Sequence, residues 1–139
     1  MNFMAAGYST KSLQEKLGVK ENFKMTVINA PPHYFELLGQ LPENVTVTSE
    51  LKGPLDFVHF FTKERKELQQ AFPALKRELS KDGILWISWP KIRSKVKTDL
   101  NEGFVREIGV QSGLVDVKVC AIDEMWSGLK FVFRLKDRK

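Results

Sequence analysis

Two stretches of this chain are apolar with almost no alternation: "LDFVHFFT" at 55–62 and "GILWISW" at 83–89. A strand wetted on one face alternates apolar and polar residues. Unbroken runs of this length therefore predict strands covered on both faces, as in a parallel sheet flanked by helices. Between them, "KERKELQQAFPALKRELSKDG" carries Leu68, Phe72, Leu75 and Leu79 at steps of four, three and four. That stripe predicts a helix ending near Gly83, with a kink at Pro73. "TDLNEGFVREIGVQSG" repeats the arrangement, with Leu100, Phe104 and Ile108 four apart, Asp99 and Glu102 as a capping pair, and Gly113 as the stop.

The earlier segments are shorter. "STKSLQEKLG" predicts a brief helix capped by Ser9 or Thr10 and ended by Gly18. "FKMTVINAPP" reads as a strand ended by two prolines, which have no amide for a ladder. "PHYFELLGQL" predicts a helix opened by Pro32, and the β-branched "VTVT" a short strand. At the other end, "LVDVKVCAI" and "LKFVFRL" are strands joined through "DEMWSGL", approximately seven residues from Asp123 to Leu129, too few for a helical crossover, so they predict an antiparallel hairpin. The alternation as a whole predicts an α/β fold: a Rossmann-like, mostly parallel sheet with a C-terminal antiparallel strand and helices on both faces, in a single domain over 1–139. One link is short. About five residues, "ELKGP", join "VTVT" to "LDFVHFF", so either the short strand is antiparallel or its return link is extended.

Composition changes this picture little. With 42% hydrophobic residues in 139, a core needs no metal or disulfide framework. The lone cysteine, Cys120, cannot form an internal disulfide, and no apolar run approaches the ~20 residues that span a bilayer. A cytoplasmic location with no membrane partner is the expectation. The net charge of +5, from 22 basic and 17 acidic residues, favours anionic partners only weakly. Local clustering says more. In "WISWPKIRSKVKTDL", Lys91, Arg93, Lys95 and Lys97 alternate with Ile92, Ser94 and Val96, so an extended backbone would put all four cations on one side.

The order of elements resembles a truncated S-adenosylmethionine-dependent methyltransferase fold, whose sheet also finishes with a reversed strand. That resemblance implies a glycine-rich turn after the first strand, where backbone approaches the cofactor, and an acidic residue after the second. Here the turn reads "NAPPHYF", with prolines in place of glycines, and Glu50 stands near the acidic position. More specifically, "AAGYS", "GPLDFV", "WISWPK", "TDL" and "GLVDVKVCAIDEMWSGLKFV" resemble a family of small bacterial proteins classed as a domain of unknown function. This second resemblance covers nearly the whole chain and brings no activity, cofactor or catalytic residue with it.

A site is still expected at one place. Open α/β sheets bind ligands at the carboxyl ends of their parallel strands. Those ends are Asn29 to Pro32, Phe61 to Lys63 and Ser88 to Lys91, and if "LVDVKVCAI" runs parallel to the others its end brings Asp123, Glu124 and Trp126 to the same rim; the candidate ligand-binding residues are Asn29, His33, Trp89, Lys91, Arg93, Asp123, Glu124 and Trp126. Trp89 and Trp126 would stack on a planar ligand, and Lys91 and Arg93 would hold a phosphate or carboxylate, while Lys95 and Lys97 face solvent. Trp86 reads as core and Trp89 as rim, so truncating Trp86 is expected to be much the costlier. His59 in "FVHFF" reads as a buried, hydrogen-bonded histidine and Cys120 as a packed strand residue; His33 is better placed for chemistry. Two distant histidines and one cysteine make no zinc pattern. With no catalytic signature and no cofactor expected, the leading reading is a non-catalytic binding or regulatory module. The alternatives are a small-molecule or nucleotide-binding enzyme using this rim, and nucleic-acid binding through the basic strip. A small anionic ligand is the partner the rim suits best.

Overall fold

The computed structural model describes residues 11–138. In chain order it contains α1 (Leu13–Leu17), β1 (Lys24–Ile28), α2 (Tyr34–Leu38), β2 (Thr46–Thr48) and β3 (Leu55–Phe61), then α3 (Arg65–Glu78), β4 (Leu79–Pro90), α4 (Glu102–Gln111), β5 (Leu114–Ala121) and β6 (Trp126–Phe133). The six strands form one sheet in the order β2-β1-β3-β4-β6-β5. Strands β2, β1, β3 and β4 are parallel, and β6 is antiparallel to both its neighbours. Consequently β5 runs in the direction of β4 with β6 inserted between them, and the carboxyl ends of β1, β3, β4 and β5 share one rim. This is the Rossmann-like architecture with helices on both faces that the apolar pattern predicts.

The short link resolves in favour of an extended return. β2 is parallel to β1 at the sheet edge, and residues 49–54 carry the chain back past β1 to β3 without a helix. Thr48 is level with Val58 across β1, so the chain returns about 10 Å along the strands as well as about 10 Å across two strand spacings, about 14 Å in all, within the roughly 20 Å that six extended residues reach.

Local signals differ in detail from expectation. Residues Ser9 and Thr10 lie outside the described residues; the cap on α1 is Ser12, in a reciprocal capping box with Glu15, and Gly18 ends the helix in the left-handed region at φ 89°. The helix expected to open at Pro32 begins at Tyr34, after His33. α3 ends at Glu78, not near Gly83, because Leu79 is already extended and pairs with Leu55 as the start of β4. Its place in the apolar stripe was no error of burial, since Leu79 packs in the same core from the strand side. α4 is capped by Asn101, whose side chain accepts from the Phe104 amide at 2.9 Å, while Asp99 instead accepts from the Arg65 amide at 2.8 Å and ties α3 to the approach of α4. β6 starts at Trp126, so the hairpin turn is shorter than the seven residues expected.

Each face of the sheet carries its own core. On one, Leu68, Phe72 and Leu75 of α3 and Val105 of α4 pack on Leu85, Ile87, Trp89, Leu129 and Phe131. On the other, Leu17 of α1 and Tyr34 and Leu38 of α2 pack on Met25, Phe57, Phe61, Trp86 and Trp126. Side chains alternate along a strand, so Trp86 and Trp89, three residues apart on β4, fall on opposite faces.

The close contact of α4 with β6 depends on Gly109. A β-carbon there would lie 2.0 Å from the Phe131 ring. Alanine is favoured over glycine in a helix by about 1 kcal/mol, but overpacking a buried aromatic costs about 1 to 3 kcal/mol or more. Gly109→Ala is therefore expected to lower the denaturation midpoint despite its better helix propensity. A raised midpoint would show that α4 can lift off Phe131 freely.

Candidate functional site

At the shared rim, where α2 after β1 and α3 after β3 leave on opposite faces of the sheet, a cleft of about 590 Å³ opens. Its size falls in the range of small-molecule sites. Each wall follows from a strand end. β1 runs out at Asn29, which takes the left-handed conformation at φ 60° that asparagine tolerates better than other residues with side chains. The Asn29 amide Nδ2 donates to the Phe61 carbonyl at 3.0 Å and lies 3.5 Å from Glu67 Oε2, so it ties the end of β1 to the end of β3 and to α3. Pro31, Pro32 and His33 continue that wall; Phe61, Thr62, Lys63, Glu64 and Glu67 form a second; Asp123, Met125 and Trp126 of the hairpin turn form the third.

One hydrogen bond joins the first wall to the third. His33 Nε2 lies 2.8 Å from Asp123 Oδ2. A carboxylate only accepts, so Nε2 carries the proton. Asp123 is itself held, because Oδ1 accepts from the amides of Met125 and Trp126, both at 2.8 Å. Burial alone would push the Asp123 carboxyl up, but the bonds from His33, Trp126 and Met125 outweigh it and hold the group below its ordinary value. Glu67 is likewise engaged, accepting from the Thr62 hydroxyl as well as from Asn29. Asp123 and Glu67 thus have donors from the protein; Lys63 and Glu64 are the other charged residues of the lining, and its aromatic and thioether part is Phe61, Met125 and Trp126, with Trp126 edge-to-face on Phe61 at 5.0 Å.

Beneath the cleft lies a buried polar row. His59 of β3 has Tyr34 OH 2.9 Å from Nδ1 and Ser88 Oγ 2.7 Å from Nε2. Burial pushes the imidazole down to about 3 and the Tyr34 phenol up. A neutral ring has one donor and one acceptor, so one hydroxyl donates to it and the other accepts. The row satisfies three polar groups inside an aromatic layer, with His59 stacked on Phe61 at 4.2 Å, and it anchors α2, hence His33, to the sheet. His59 and Cys120 are both buried.

Four residues of the expected rim set, Asn29, His33, Asp123 and Trp126, line the cleft together. The other four do not. Lys91, Arg93 and Glu124 line an adjoining depression of about 470 Å³, which meets the cleft at Met125. Trp89 is at the same end of the sheet as Trp126 but on the opposite face, 5% exposed in the α3/α4 core, where it lines a separate depression of about 610 Å³ that Lys91 and Arg93 also border. A stacking pair of Trp89 and Trp126 is excluded by the sheet between them. The basic strip is not extended either: residues Ile92–Ser94 form a 3₁₀ turn and Lys95 is left-handed at φ 61°, which breaks the one-sided alternation. Lys95 and Lys97 are exposed, as expected. Glu50 is exposed just past β2, its amide bonded to Thr48 Oγ1. Glu64, Glu67 and Met125 were missed as lining residues. The signal available was position, since residues immediately after each parallel strand face this rim.

No described helix is long and apolar enough to cross a membrane, and no group of three or more metal-ligating side chains occurs among the described residues. No protein-family model matches the chain, so the resemblance to small bacterial proteins rests on the quoted motifs alone. No curated protein matches its sequence. Solved structures do match. A SAM dependent methyltransferase from Aquifex aeolicus is 17% identical, with a TM-score of 0.56 over 86% of this chain and 86% of that one. The magnesium protoporphyrin IX methyltransferase of Synechocystis PCC 6803 with bound SAM is 12% identical, with a TM-score of 0.56 over 88% and 74%. A TehB-like SAM-dependent methyltransferase from Corynebacterium glutamicum is 12% identical, with a TM-score of 0.57 over 93% and 91%. At such identities the likeness is one of fold, and the chain has the Rossmann-like fold found in these S-adenosylmethionine-dependent methyltransferases.

Proposed function

We propose that this protein is a small-molecule-binding module on a methyltransferase-like sheet, using the rim cleft without S-adenosylmethionine. The observation that carries this reading is the wall after β1. A nucleotide-type cofactor needs close backbone approach and amide donors there, yet Pro31 and Pro32 line the cleft and neither has an amide to give. The short helix that follows starts with no side-chain cap, and its His33 is committed to Asp123. The residues present do not fit the cofactor. What they do fit is a ligand with an apolar face, against Phe61, Met125 and Trp126.

A second reading, methyl transfer, is favoured by the likeness to structures described as holding SAM or SAH. Calorimetry on the purified protein separates the two. No saturable heat is expected with S-adenosylmethionine or S-adenosylhomocysteine at micromolar to submillimolar concentration. Saturable micromolar binding of either would overturn the proposal and establish a cofactor site without the glycine turn.

A further inference from the structure

Resting on the cleft reading above, we infer that the ligand is bipartite: a flat apolar body held at Trp126, Met125 and Phe61, and an anionic end, phosphate or carboxylate, held by Lys91 and Arg93 across Met125. Three observations meet here. First, the two depressions adjoin, since Met125 lines both, and the Lys91 amide donates to the Met125 carbonyl at 2.8 Å, which pins the end of β4 to the hairpin turn. Second, Lys91 and Arg93 have no ion-pair partner among the described residues, Glu124 in the same depression included. Third, the cleft carboxylates Asp123 and Glu67 already accept hydrogen bonds from the protein. Both keep their negative charge and Glu64 adds another beside Lys63, so the cleft disfavours an anionic group inside it and leaves the anionic end to the adjoining depression, where Lys91 and Arg93 outnumber the one acid, Glu124.

Charge alone would give a weak, salt-sensitive attraction, and an apolar face alone would give little selectivity. Joined through Met125, they select a molecule long enough to reach from one to the other. The 3₁₀ turn that spoils the one-sided strip is what separates the roles of its cations: Lys91 and Arg93 line the depression, while Lys95 and Lys97 do not.

The test uses 1-naphthyl phosphate, 1-naphthol and inorganic phosphate as probes, followed by amide and indole chemical shifts and by calorimetry. Naphthyl phosphate should shift Trp126, Lys91 and Arg93 together and bind at least about tenfold more tightly than naphthol, in line with a charge-assisted hydrogen bond or two. The Lys91→Gln/Arg93→Gln double variant should erase that preference and leave naphthol binding unchanged; Lys91→Arg/Arg93→Lys should keep it. Equal affinity for the two naphthyl probes, or a double variant that keeps the preference, overturns the anionic end while naphthol shifts at Trp126 still support the cleft. Phosphate alone matching naphthyl phosphate overturns the bipartite ligand. If no probe shifts Trp126, the cleft reading itself falls, and this inference with it.

Discussion

Stability should drop continuously as pH falls from about 6.5 to about 3, and His59 should account for most of the drop. Burial holds its imidazole at about 3 in the fold against 6.5 ordinarily. The folded value is the lower one, so between the two the unfolded chain binds the extra proton. The stabilisation is complete above the unfolded value and is lost as pH falls through that window. A difference of this size corresponds to roughly 5 kcal/mol at the acid end, against a total of about 5 to 15 kcal/mol for a domain. Asp123, also depressed, adds loss of the same sign at the lower end, below its ordinary 3.8. Carboxylates elsewhere titrate in part of this range, so the informative measurement is a difference. In urea melts across the window, His59→Gln is expected to be less stable than the parent at neutral pH and to show a much flatter acid slope. Parallel slopes for the two proteins would mean that His59 is not held neutral between Tyr34 and Ser88.

Trp86→Ala and Trp89→Ala are both expected to cost about 3 to 5 kcal/mol, the usual loss for a buried large aromatic cut to alanine. Trp86 is fully buried on the α1/α2 face and its Nε1 donates to the Leu17 carbonyl at 2.8 Å, so its loss also orphans the end of α1. Trp89 is 5% exposed on the other face. The sequence places Trp89 at the rim, next to Pro90, and predicts a small effect; the structure reverses that expectation, because the strand continues through Pro90 and β6 pairs alongside it to the end. Denaturant midpoints decide. A Trp89→Ala loss under about 0.5 kcal/mol, within the ordinary surface range, would put Trp89 back at the rim.

The residues that were legible in sequence share a property. His59 and Trp86 lie inside apolar runs, where the neighbours on the chain are themselves buried and so report the environment directly, whereas Cys120 is buried between exposed Val119 and Ala121 on an alternating strand. Asn29, His33 and Asp123 follow strand ends, and the general rule for parallel sheets brings them to one rim without any knowledge of contacts. The capping and stripe errors have the opposite origin. Asp99 and Asn101 are equally good caps as residue types, and which one caps α4 was settled by Arg65, thirty-odd positions away, which draws Asp99 to α3. Leu79 belongs to the same core whether it ends a helix or starts a strand, so periodicity could not distinguish the two.

By itself, then, the sequence determined the fold class, the two-faced burial of β3 and β4, and the rim to which Asn29, His33, Asp123 and Trp126 come, since these depend on hydrophobic period and on connection length, which are local quantities. Tertiary structure alone decided which rim residues meet. Trp89 and Trp126 reach the same end of the sheet, but alternation along β4 and antiparallel pairing with β6 set them on opposite faces. His33 and Asp123, ninety residues apart, meet at 2.8 Å only because β5 runs with β4 and the hairpin turn folds back over the end of β3. The physical reason is that a one-residue step along a strand inverts the face of a side chain while barely moving its position along the sheet, so proximity at a rim can be read from topology whereas membership of one site cannot.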